Sequence, residues 1–170
     1  MYCWRISKYD PKYRDSFGRF ENDEWASICD IGNVFNKIEL TFEAYLEVEN
    51  TYIEAILTIL DELNITSLKI ENLERENDIK DYDYVDKNME ETFNSMEDGI
   101  ELATNQIIIF MKLVLREKLW GKLNNTNFFV HFGYDYYMYI GSGKTLVKCR
   151  TSIENSGLFI ENISSPYMVE

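Results

Sequence analysis

The chain has 170 residues, 45% hydrophobic and 28% charged, with 17 Lys and Arg against 30 Asp and Glu for a formal net charge of −13. That length fits one domain, the composition excludes wholesale disorder, and roughly two thirds of the unfolded surface can be buried without disulfide or metal staples. The negative balance argues against binding nucleic acid or an acidic membrane surface and favours a cationic protein partner.

Cys3, Cys29 and Cys149 are an odd number, far apart and without a CxxC pair, which reads as reduced thiols in a cytoplasmic protein. No basic-then-apolar signal segment opens the sequence. The longest apolar run, 107–115, is broken by Lys112 and is far shorter than the roughly 20 residues of a membrane span.

In chain order, Tyr2, Trp4 and Ile6 alternate with Cys3, Arg5 and Ser7, so 2–9 is expected to be a strand, stopped by Asp10-Pro11. The alternation over 24–31 suggests a second strand. A long helix is expected over 42–63, with Thr41 as N-cap, one wide apolar stripe, and Asn64 as a left-handed stop. A strand over 67–73 follows. The acidic stretch, about 74–98, has no sustained period before Lys87 and is expected to be a long surface loop passing into a helical turn near 89–96. The 100–123 stretch reads as a second long helix, with a buried strand at the β-branched 107–109 as the competing assignment. Strands at 128–132 and 136–140 joined by a short hairpin, a short helix at 146–153 and a strand at 158–163 complete the chain. The expected fold is a single α+β domain, mainly antiparallel sheet with two long helices and an acidic loop insertion.

The charge is not spread evenly. Residues 71–101 hold twelve acidic and three basic side chains, a net −9, whereas 1–20 carries a net +3 and 111–150 a net +5. Solubility alone does not require such polarisation.

Motifs for chemistry are weak. Gly141-Ser142-Gly143-Lys144-Thr145 has the GKT end of a phosphate loop, but Met138 stands where the leading glycine belongs. His131 is the only histidine, so no histidine pair can hold a metal, and the start of a calcium loop at Asp81-Tyr82-Asp83 fails because Val85, Asp86 and Thr92 stand where a ligand, a glycine and a closing glutamate belong. No catalytic residue, metal or cofactor is expected. The positive signal is Asp78, Asp81, Tyr82, Asp83, Tyr84 and Asp86, followed by Glu90 and Glu91. Carboxylates interleaved with tyrosine offer charge together with a large, low-entropy contact surface, and spaced carboxylates imitate a phosphate backbone.

The opening stretch Trp4-Arg5-Ile6-Ser7-Lys8-Tyr9-Asp10-Pro11, with Arg14-Asp15, Gly18, Glu24-Trp25 and Asp30-Ile31-Gly32, resembles the start of small bacterial proteins from contact-dependent growth inhibition and polymorphic toxin loci. The resemblance covers roughly the first 32 residues. It implies an immunity protein that blocks a cognate toxin domain, often a nuclease, by stoichiometric binding, and it assigns no individual residue. The expectation is therefore a non-enzymatic inhibitor of a basic toxin domain. The alternative is an enzyme holding a nucleotide or sugar phosphate near His131, Lys144 and Arg150, and a third reading is an acidic adaptor or DNA mimic.

Overall fold

The computed structural model describes residues 1–80 and 82–168. Along the chain come β1 (Tyr2–Ser7), β2 (Val34–Phe35), β3 (Ile38–Glu39), α1 (Phe42–Leu63), β4 (Ser67–Arg75), α2 (Lys87–Ser95), β5 (Glu101–Ala103), α3 (Thr104–Leu115), β6 (Leu119–Asn125), β7 (Phe128–Phe132), β8 (Met138–Ser142), α4 (Lys148–Asn155) and β9 (Phe159–Glu161). Seven strands form one sheet in the order β5-β4-β6-β7-β8-β1-β9, every neighbour antiparallel. The α+β class is as expected.

Strand register gives the sheet two unlike faces. Ile70, Leu123, Val130, Ile140 and Trp4 lie in one cross-strand row, and all are buried in a core shared with the four helices. One residue along, Glu71, Lys122, His131, Tyr139, Arg5 and Glu161 form the opposite row. The period of two produces this segregation.

The long helix runs as the sequence implies. Thr41 accepts a hydrogen bond from the Ala44 amide, and Asn64 closes the helix at φ 55°. The expected second long helix is corrected: 100–123 divides into β5, α3 of 12 residues, and β6. Glu117 adopts φ 58°, the Lys118 amide bonds back to the Leu113 carbonyl at 2.8 Å, and that of Glu117 to Val114 at 2.9 Å. This closure satisfies orphan carbonyls without a glycine to announce it. The β-branched 107–109 run stays helical because Ile107, Ile109, Phe110, Met111 and Leu113 are all buried, and packing outweighs weak propensity.

The strand expected at 24–31 is also corrected. Ser27 caps a 3-10 turn over Ile28–Asp30, and the Asp30 carboxylate accepts from the Ala26 and Ser27 amides. Local side-chain partners take the backbone groups that a ladder would use.

Candidate functional site

As its lack of period implies, the acidic stretch holds no helix or strand among the described residues of 76–86 and then passes into a helix. β4 continues to Arg75 past a bulge at Asn72 (φ 54°), and α2 occupies Lys87–Ser95. Ile79, Met89, Phe93 and Met96 drop into the core, spaced widely enough to leave Asp83, Asp86 and Glu91 between them exposed. Apolar anchors thus fix a polar surface.

The expected partner-binding residues have unequal roles. Asp83 and Glu91 are exposed, Glu91 beside Lys87 at 3.5 Å, while Glu90 is half-buried. Asp78 accepts from the Lys80 amide at 2.9 Å, bracing its own turn. Asp86 is the N-cap of α2, bonded to the Met89 amide at 2.8 Å, so its first duty is to the helix. Asp81 lies outside the described residues. Both tyrosines pack partly back on the domain. Tyr82 donates to Glu76 at 2.8 Å and carries the Lys118 ammonium 3.5 Å above its ring, and the Glu76 carboxylate raises the phenol's pKa. Tyr84 stacks on Phe42 at 4.0 Å, and its carbonyl accepts from Arg116. Each ring remains about two-fifths exposed.

Sequence reasoning missed a cleft of about 750 Å³ between this segment and the β7–β8 hairpin. Trp120, Phe132 and Tyr137 contribute aromatic wall, and Glu74, Glu76, Glu117 and Asp135 supply carboxylates. Tyr134 stands 79% exposed at the hairpin tip. Three cleft residues, Glu117, Asp135 and Tyr136, have left-handed backbones at φ 58°, 56° and 62°. Such conformations cost about 1–3 kcal/mol each and persist only where surroundings impose them. For Tyr136 those surroundings are visible: its hydroxyl donates to the Leu115 carbonyl, its own carbonyl accepts from Tyr52, and its ring meets Trp25 edge-on at 5.1 Å. Burial raises the Tyr45, Tyr52 and Tyr136 phenols well above their ordinary range, leaving neutral hydrogen-bond donors. The aromatic hairpin was legible in the sequence, but its closeness to the acidic stretch was not.

The three residues of the alternative reading are not brought together. His131 lies on the sheet face away from the helices, where its Nδ1 meets the Ser165 hydroxyl at 2.8 Å. Arg150 belongs to α4, which packs into the core on the other side, and it pairs with Glu154 at 3.0 Å. Lys144 is exposed in the turn after β8. The helix start that follows the GKT turn already holds an anion, because the Glu62 carboxylate accepts from the Val147, Lys148 and Cys149 amides at 3.1, 3.2 and 2.7 Å. A phosphate would have to displace it.

Among the described residues, no group of three or more His, Cys, Asp or Glu side chains is placed to hold a metal ion, and no helix is long and apolar enough to cross a membrane. Compared with known proteins, the chain matches no family model, no curated sequence and no solved structure.

Proposed function

We propose that this chain is a cytoplasmic immunity protein that binds and neutralises a cognate basic toxin domain by stoichiometric protein–protein inhibition. A nuclease is the toxin class whose Lys- and Arg-lined cleft such a surface fits. The observation that carries the reading is the braced acidic segment: a net −9 over 31 residues, pinned by four buried apolar side chains, with its described carboxylates exposed apart from the half-buried Glu90. A surface already ordered loses less conformational entropy on binding than a loose loop would, and concentrated charge accelerates encounter with a cation. The resemblance of the first 32 residues to immunity proteins points the same way. The complex is expected to bury about 1,600 Å² in total.

The test begins with affinity capture from the native host and mass spectrometry for a stoichiometric basic partner. Binding kinetics then compare the wild type with the double variant Asp83→Lys, Glu91→Lys, which avoids the Asp86 cap. The association rate should fall with added salt and drop about tenfold in the variant at low salt, with the thermal melt within about 0.5 kcal/mol of wild type. An unchanged association rate with full protection of toxin-exposed cells would end the acidic-face reading.

A further inference from the structure

We infer that the cleft between the acidic segment and the 133–137 hairpin receives an arginine side chain projected by the cationic partner. The inference rests on the docking reading above and adds the chemistry of what docks. A cavity of about 750 Å³ is within the size range of built binding sites and far exceeds a packing defect. Its accessible aromatic surface comes from Trp120 and Tyr134, because Phe132 is buried in the core and the Tyr137 ring already faces Arg5 and Arg14; such rings suit a flat apolar or cationic group, and the four carboxylates favour the cation.

The cleft's own cations do not neutralise it from within. Arg75 is held by the Phe93 carbonyl at 2.7 Å and lies 5.1 Å from that residue's ring centroid. Lys118 is drawn onto Tyr82. Four carboxylates against two engaged cations leave the lining formally at −2. Lys118 on Tyr82 also shows that this rim accommodates an ammonium on an aromatic face beside a carboxylate, since Tyr82 is bonded to Glu76. An incoming side chain would repeat that arrangement deeper in the cleft.

Arginine fits better than lysine because a planar guanidinium can stack on a ring and donate to carboxylates in the same pose. A purely apolar side chain would strip water from the rim carboxylates without replacing their hydrogen bonds. An anion would meet charge of its own sign. Tyr134, a large ring left in water at the edge, is placed to close over the entrant's stem.

The experiment uses isotope-labelled full-length protein and follows the Trp120 indole N–H, which donates to the Phe132 carbonyl at 2.8 Å, by two-dimensional NMR. Probes are acetyl-Gly-Arg-Gly-amide and its Lys and Gln counterparts. The arginine peptide should produce a saturable shift, the lysine peptide should bind about threefold more weakly, and the glutamine peptide should leave the signal in place. Glu76→Gln with Glu117→Gln should weaken the arginine peptide about tenfold, whereas the outer-face pair Asp83→Lys, Glu91→Lys should not, each variant being checked by its melt. No saturable shift, or equal shifts from the arginine and glutamine peptides, overturns the inference even if the outer-face variant still loses the protein partner. Arginine-peptide binding without any basic partner from the host would leave the arginine site standing while removing the immunity reading.

Discussion

The Arg116 guanidinium closes on the Glu49 carboxylate through two hydrogen bonds of 2.6 Å, with both side chains out of water. The same guanidinium reaches the Tyr84 carbonyl and lies 3.6 Å from the Met89 sulfur. One ion pair therefore ties α1, the end of α3 and the acidic segment together. Breaking such a pair on one side leaves an uncompensated buried charge, at a cost of about 3–5 kcal/mol. Glu49→Gln should lower the melting temperature by roughly 10 °C, and protease cleavage near Tyr84 should accelerate. The double variant Glu49→Met, Arg116→Leu should be less destabilised than Glu49→Met or Arg116→Leu alone. Calorimetry on the three proteins decides it: additive losses would mean that the two charges do not depend on each other.

Glu62 joins the end of α1 to the start of α4 by accepting three amides. The Cys149 thiol and these amides pull its carboxyl from 4.5 down to about 2. Burial, and then the hydrogen bond to Glu62 and its charge, push the Cys149 thiol up to about 12. Because the folded carboxyl is the stronger acid, its stabilisation is complete above pH 4.5 and fades as pH falls toward 2. Glu62→Gln should cost about 1 kcal/mol at pH 7, as loss of a helix cap does, and the gap should close between pH 4.5 and 2. Urea midpoints at pH 7, 4 and 2.5 measure the gap; a difference constant with pH would contradict the charged cap.

Gly141 faces Phe129 across β7 and β8, and a Cβ at position 141 would stand inside the Phe129 ring. Gly141→Ala should therefore destabilise by about 1–3 kcal/mol through overpacking, and adding Phe129→Leu should restore part of it. Denaturant melts of the single and double variants test the coupling; no recovery in the double variant would place the strain elsewhere.

Periodicity and capping make the skeleton readable in the sequence. The Thr41 to Asn64 helix declares both its ends chemically, and the alternation of Trp4 and Ile6 with Arg5 survives as the two faces of the sheet. The errors share a cause. Glu117 turns left-handed to end α3, Ser27 and Asp30 consume backbone groups locally, and neither event leaves a glycine or proline in the sequence. The candidate site was half visible. Composition exposes the carboxylates of 74–98, but Ile79 as a single core anchor has no period, and the approach of Trp120 and Tyr134 to Glu76 is a long-range consequence of strand order.

His131 is held under the C-terminal tail. The Ser165 hydroxyl accepts from the Tyr167 amide at 3.2 Å, so its proton is free to point at His131 Nδ1, 2.8 Å away. Lys122 donates to the Tyr167 carbonyl at 2.9 Å, and the Tyr167 ring meets those of Trp120 and Tyr139 edge-on. Burial, and then the Lys122 charge, lower the imidazole from 6.5 to about 4. The unfolded chain therefore takes up the proton first, and stability present in full above pH 6.5 is lost as pH falls to about 4, on the order of 3 kcal/mol. Protonation also removes the acceptor for Ser165, so the tail should loosen over the same window. Hydrogen exchange at the Tyr167 amide should quicken between pH 6.5 and 4 after correction for intrinsic rates, and His131→Gln should flatten both that response and the stability difference. Parallel pH curves for wild type and variant would show that another group governs the acid sensitivity of the tail.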